Sequence, residues 1–170
     1  ISDDAQAEET VNGYLERADQ VLYGNEYQYI SNLSSLEGVH PTVVAAQSYE
    51  GIPFNDSSSR MDITLENTDN LLQITKYSQT HISSITPLRE RITVYSEKEA
   101  VNTLYLNNKL PSHSTILWTE LAYTMILKVR DKNVYIPAWF VAFKSDNDDT
   151  VQIETVNAFS NRIITNNAVQ

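Results

Sequence analysis

The chain has no cysteine, four glycines and five prolines in 170 residues. Without cysteine there is no disulfide, no thiolate nucleophile and no Cys-ligated zinc. With so little glycine, a phosphate-cradling loop has almost nothing to be built from, and neither a P-loop nor GxGxxG occurs. Scarce Gly and Pro also argue against a low-complexity or disordered chain. Positive charge is short as well: 12 Lys and Arg against 22 Asp and Glu give a net charge of −10. No Lys/Arg patch stands out, and an acidic surface repels nucleic acid and anionic lipid, so nucleic-acid binding is set aside. No apolar run approaches the ~18 residues of a membrane span. The chain starts at Ile1 rather than Met, which leaves room for a signal or anchor upstream.

What is present suffices for a buried core: 41% of the residues are hydrophobic, enough in a chain of this length to fold without staples. The most apolar stretch is Val134–Phe143. It is apolar on both alternating faces, which predicts a buried central strand. Pro137 within it cannot donate to a ladder and predicts a bulge or a locally unpaired side.

Around that strand the pattern predicts two helices. Residues 4–23 place Ala7, Val11, Tyr14, Leu15, Ala18, Val21 and Leu22 on one stripe, weakened by Gly13 and stopped by Gly24. The second helix, Glu97–Lys109, opens with Ser96-Glu-Lys-Glu99, a capping box, and ends at Asn107-Asn108 and Pro111. Strands are expected at Thr42–Tyr49, in a hairpin over 60–80 where Met61, Ile63 and Leu65 alternate with polar residues, at Ile92–Tyr95, at Thr115–Val129, at Val151–Ala158 and at Arg162–Thr165. In Thr115–Val129, Leu117, Leu121, Tyr123, Met125, Leu127 and Val129 are placed on one face, and Asp131–Asn133 is the turn that follows. Residues 25–40 give no clear pattern.

The fold class is therefore α+β: antiparallel sheets with two helices packed across them. One domain over 1–170 is expected, with two pseudo-equivalent lobes, 1–95 and 96–170. Each would be a helix followed by three or four strands, an internal duplication in which the turns Asn67–Asn70 and Asp146–Asp149 correspond.

Catalytic chemistry has little to stand on. His40, His81 and His113 have no metal-ligand spacing, and no GxSxG or HExxH occurs. Asp146–Asp149 lacks the Gly and the bidentate Glu of a calcium loop and reads as a turn. Glu8/Glu9 and Glu97/Glu99 sit where carboxylates complement helix N-termini. No catalytic, cofactor-binding or metal-binding residue is assigned. Tyr14, Tyr23, Tyr27 and Tyr29 cluster in or just after the first helix; tyrosine serves both cores and interfaces, and these four are the candidate interaction face.

Several stretches together resemble the YycI family. These are Tyr49-Glu-Gly-Ile-Pro-Phe54, Met61–Leu65, Tyr77-Ser-Gln-Thr80, the helix Glu97–Asn108, Val134-Tyr-Ile-Pro-Ala-Trp139 and Val156-Asn-Ala-Phe159, in that order. The likeness runs from about Tyr23 to Ile164. It departs after Asn157-Ala-Phe159, where a Gly-containing turn is usual and Ser160-Asn-Arg162 stands, although Asn161 tolerates positive φ. The resemblance implies a non-catalytic, extracytoplasmic regulator tethered to the cell membrane by one N-terminal transmembrane helix outside this sequence. Its implied partners are a YycH-like protein and the sensor histidine kinase WalK of the WalK–WalR system, which controls cell-wall metabolism; a homo-oligomer is left open. It implies no cofactor. The motif residues then read as structural: Gly51 and Pro53 in a tight turn, Pro137 at a bulge, Asn157 in the closing motif, Trp139 and Phe159 as core anchors. The alternative is a secreted enzyme or small-ligand-binding protein on an α+β scaffold, marked by a deep pocket with two or more convergent ionisable groups.

Overall fold

The computed structural model describes residues 4–69, 71–146 and 148–165. The chain divides into two compact units, residues 1–86 and 87–170. The division falls before residues 87–95, which are expected from the sequence in the first lobe. Their last residue explains it: the Tyr95 N–H donates to the Ala158 carbonyl oxygen at 2.8 Å.

In the first unit, α1 (Asp4–Leu15) is followed by β1 (Tyr27–Tyr29), β2 (Thr42–Tyr49), β3 (Ile52–Pro53), β4 (Arg60–Thr68) and β5 (Leu71–Gln79). The sheet is antiparallel in the order β1-β2-β4-β5, with β3 paired to β2. Its core joins Ala7, Val11 and Leu15 of α1 to Val43, Ala45, Met61, Ile63 and Leu65. The alternation in β4 holds: Met61, Ile63 and Leu65 are fully buried while Asp62 and Thr64 are not.

The helix is shorter than expected, ending at Leu15 rather than 23. Val21 does return to the core, but Leu22 is 72% exposed, so one stripe does not continue through both. After Leu15 the chain doubles back in turns, with Arg17 N–H on Tyr14 O and Val21 N–H on Arg17 O, both at 3.0 Å. Gly24 is not a helix stop. It lies against the Leu15 carbonyl, where a Cβ would stand 2.1 Å from the oxygen. Between β2 and β3, Tyr49 faces Ile52 across Glu50 and Gly51, whose φ values are 52° and 81°. Two consecutive positive φ angles mark a type I′ hairpin turn, and glycine at the second position suits it. Pro53 is tolerated because β3 pairs only with β2, on Ser48.

In the second unit, α2 (Glu97–Leu106) precedes β6 (Ser114–Val129), β7 (Lys132–Ser145), β8 (Asp148–Asn157) and β9 (Arg162–Ile164), an antiparallel sheet in chain order. The capping box is present: Ser96 Oγ accepts the Glu99 N–H, and Glu99 Oε2 accepts the Ser96 N–H at 2.8 Å. At the other end Asn108, with φ 57°, occupies the left-handed position. The Asn108 N–H bonds Tyr105 O at 3.1 Å and the Lys109 N–H bonds Leu104 O at 2.9 Å, the two bonds of a Schellman motif. Helix α2 buries Ala100 and Leu104 against Val141, Phe143 and Val156. On the opposite face of the same sheet, Ala122, Ala138 and Phe140 form a second cluster. Strand β7 is thus interior and buried on both faces.

Four expectations about this unit need correction. Residues 92–95 form no strand. The turn after β6 is Arg130–Asp131, and pairing resumes with Val129 opposite Lys132. The register shifts at Ile116/Trp118 and Met125/Leu127. Leu121, Tyr123 and Met125 therefore share the α2 face, Leu127 and Val129 lie on the other, and Leu117 sits at the irregularity. Finally, Pro137 is at no bulge, since it pairs in register with Tyr123; of its two expected readings the locally unpaired side holds, because the β7–β8 ladder begins only at Ala138 opposite Asn157.

Each unit is a helix followed by antiparallel strands, but the equivalence of their hairpins fails. Asn67–Asn70 joins the third and fourth strands of its sheet path, whereas Asp146–Asp149 joins the second and third. Asn70 and Asn147 themselves lie outside the described residues. An internal duplication is not shown.

Candidate interaction surface

The four tyrosines do not share one face. Tyr27 is 6% exposed, its hydroxyl donating to the Thr80 carbonyl oxygen. Tyr29 packs on the first core and donates to Asp4 Oδ1 at 2.6 Å. Burial, and then the Asp4 carboxylate, pushes its phenol up to about 12. Tyr14 meets Tyr77 edge to face at 5.9 Å and also packs on this core. Only Tyr23 is turned outward: its φ is 59° and it is 54% exposed, with its ring stacked on His81 at 4.2 Å.

His81 is held rather than scattered, since its Nε2 lies 2.9 Å from Glu26 Oε2. That carboxylate oxygen also accepts from Gln47 Nε2 at 2.9 Å. Gln47 is 1% exposed and its amide is fully used. Nε2 gives its second proton to the Ile82 carbonyl oxygen at 3.1 Å, while Oε1 accepts the Ile82 N–H at 2.7 Å and the Ser59 hydroxyl at 2.9 Å. Two donors and two acceptor sites are all an amide side chain has. Gln47 thus bolts the chain beyond β5 onto β2. Nothing in the local pattern of Thr42–Tyr49 marks it out.

The motif residues of the second unit converge on Tyr95. Pairing between β7 and β8 starts at Ala138 opposite Asn157, so Pro137 lies just past its end. The Pro137 carbonyl accepts the Ala158 N–H at 3.0 Å. Proline has no N–H to return, and the Ala158 carbonyl takes the Tyr95 N–H instead. The Trp139 indole Nε1–H donates to the Tyr95 carbonyl oxygen at 2.8 Å, and its ring packs part-buried on the α2 core. The backbone of Tyr95 is therefore bonded on both sides immediately before the Ser96 cap. Asn157 Oδ1 accepts the N–H groups of Phe159 (2.8 Å) and Ser160 (3.0 Å), and Asn161 takes φ 54° in the turn. Phe159 is not a core anchor: it is 43% exposed, with the Arg89 guanidinium 4.8 Å from its ring centre. Trp139→Phe removes the indole bond and, phenyl being the smaller ring, part of the packing on the α2 core. It is expected to cost about 1–3 kcal/mol and to speed amide exchange at Tyr95 and the Ser96 cap, read by hydrogen exchange.

Glu120 lies directly opposite Phe140, on the face that carries Ala122 and Ala138. Its Oε2 is buried without a hydrogen-bond partner, and burial raises its carboxyl above the ordinary value. A raised folded-state pKa means a contribution present in full below the unfolded value of 4.5 and lost as pH rises through the folded one. Glu120→Gln is therefore expected to stabilise the protein at neutral pH by about 1 kcal/mol and to flatten the fall of stability between pH 4.5 and the raised folded value, measured by thermal unfolding at acid and neutral pH.

One open depression, of about 530 Å³, runs along α2, lined by Lys98, Glu99, Val101, Asn102, Tyr105 and Leu110. It offers one cation and one carboxylate on an outer helix face rather than convergent groups in a cleft. Among the described residues no three His, Asp or Glu stand close enough to hold a metal ion, and no helix is long and apolar enough to cross a membrane. The structure also gathers what the sequence had not suggested, a small basic tip: Lys128, Arg130 and Lys132, all exposed, surround the β6–β7 turn.

A family model described as "YycI protein" matches residues 1–159 of the chain. No curated protein matches it. Among solved structures, the Bacillus megaterium YpeB C-terminal domain is similar, with a TM-score of 0.53 and 12% identity over 92% of this chain. The chain spans 62% of that domain's length, and at this identity the likeness concerns the fold alone.

Proposed function

This chain belongs to the YycI family, whose members regulate the WalK–WalR two-component system, and on that premise we propose that it is a non-catalytic regulator that binds the sensor kinase WalK together with a YycH-like protein. It acts at the cell membrane, with this domain on the extracytoplasmic side and a single transmembrane helix as its tether, and so adjusts cell-wall metabolism. The observation that carries the reading is the family match over residues 1–159. Two features of the surface support it. The depression along α2 is open and faces outward, which suits docking better than turnover. Large apolar side chains also remain exposed, including Tyr105 at 53% and Leu106 at 69%, as interaction surfaces require. Of the four tyrosines, Tyr23 is the one that offers its ring to a partner, while Tyr14, Tyr27 and Tyr29 hold the segment behind it.

The test is co-purification from membranes of the full-length protein with WalK and the YycH-like protein of the same cell. Both partners are expected in the complex, and Tyr23→Ala is expected to weaken it without altering the fold. Absence of both partners from a folded, membrane-inserted sample would remove the proposal.

A further inference from the structure

Strand β6 is the edge of the second sheet: among the described residues it pairs with β7 and with no other strand. It is 16 residues long, well beyond the usual strand. A long apolar edge is a template for another strand, and proteins normally shorten, charge or cover such edges. Here the two register irregularities, at Ile116/Trp118 and Met125/Leu127, leave a regular stretch between them. Exposed apolar side chains flank that stretch on either side, Ile116 at 39% and Leu117 at 44% before it, Ile126 at 49% and Leu127 at 54% after it.

The charges around this edge are polarised. Beyond its last residue is the basic tip, Lys128, Arg130 and Lys132, with Asp131 as the one carboxylate. Beside its first residue is the acidic β7–β8 turn, Asp146, Asp148 and Asp149, whose only cation is Lys144, 3.5 Å from Asp149. The turn is fixed there by the Asp146 N–H on the His113 carbonyl oxygen at 2.9 Å and by Ser145 opposite Ser114.

We infer that the occupant of this edge is a second copy of the chain, its β6 antiparallel to the first about a two-fold axis. Antiparallel pairing brings the basic tip of each copy to the acidic turn of the other, and the match occurs twice because the interface is isologous. Parallel pairing would set like charges side by side. With the axis near Leu121, Ile116 of one copy lies opposite Ile126 of the other, so the exposed apolar groups cover one another. The two sheets become one of eight strands, and no free β6 edge remains. An acidic partner strand would satisfy the basic tip but not the acidic turn, and an anionic bilayer would satisfy none of the edge backbone. This inference stands independently of the kinase-regulator reading.

The test is sedimentation equilibrium of the purified chain with two complementary charge reversals. Lys128→Glu with Lys132→Glu reverses the tip. Asp146→Lys with Asp149→Lys reverses the turn and spares Asp148, whose carboxylate accepts the Thr150 N–H at 2.9 Å. The unaltered chain is expected to dimerise, less strongly at high salt. Each reversed variant alone should dimerise about tenfold more weakly or worse, and an equal mixture of the two should regain dimers, since every tip then meets a turn of opposite sign. In the unaltered chain, amide protection over residues 118–125 should rise with protein concentration. A monomer at every concentration, a dimer indifferent to both reversals, or protection gained elsewhere than β6 would overturn the inference.

Discussion

Gln47→Leu is expected to lower the unfolding free energy of the first unit by about 2–6 kcal/mol, although leucine is close in volume and the site is buried. The loss follows from what the amide leaves behind. The N–H and C=O of Ile82 both bond to Gln47, at 2.7 and 3.1 Å. Leucine offers neither group a partner, and each part-buried orphan costs about 1–3 kcal/mol. Of the other two bonds, one is replaceable, since Glu26 keeps His81. The Ser59 oxygen still accepts the Gln47 N–H at 3.2 Å, but its buried hydroxyl proton loses its acceptor. The estimate counts the two backbone groups, and the Ser59 hydroxyl adds to it. Gln47→Glu is expected to be worse than leucine, because a carboxylate would face both the Glu26 carboxylate and the Ile82 carbonyl oxygen. Urea unfolding gives the stability change. Hydrogen exchange localises it, with the Ile82 amide losing its protection while those of β4 keep theirs. Equal loss of protection throughout the sheet would mean that Gln47 acts through general packing rather than by fastening this segment.

That network shows where sequence reading stops. The second helix was legible because its start is encoded within four residues, Ser96 to Glu99, and the bonds between them are local. Strand β4 was legible because one face is wet and the other dry, which writes itself into alternation. The role of Gln47 is set by Ser59, Glu26 and Ile82, which lie 12, 21 and 35 positions away, and no window of sequence contains them together. The bulges of β6 failed for a related reason. A single extra residue reverses the faces beyond it, and the mostly apolar stretch from Leu121 to Val129, interrupted by Thr124 and Lys128, gives no sign of where that happens. The tyrosines were grouped by proximity in the chain, but strand geometry turns Tyr27 inward and positive φ turns Tyr23 outward. Conversely, the pieces Val134–Trp139 and Val156–Phe159 were recognised as a pattern before their purpose was visible. Pro137, Trp139 and Ala158 are joined through the backbone of Tyr95, a residue outside both pieces.

The same substitution at two glycines should give opposite results. Gly13 lies in the exposed interior of α1, and a Cβ there would meet nothing within 4 Å. Gly13→Ala is expected to stabilise by about 0.5–1 kcal/mol, because alanine loses less backbone freedom on entering a helix. At Gly24 a Cβ would stand 2.1 Å from the Leu15 carbonyl oxygen and 2.9 Å from its carbon. Neither atom is the end of a side chain that can swing away. To admit a methyl group, either the last turn of α1 or the chain entering β1 must shift, and Leu15, Val21 and Tyr27 all belong to the core that the shift would open. Gly24→Ala is expected to cost about 3 kcal/mol, the upper range for overpacking. Denaturant unfolding of the two variants beside the parent reads both signs in one experiment. If Gly24→Ala proved neutral, the close return of the chain onto the end of α1 would not be how this unit closes, and the shortened helix would need another cause.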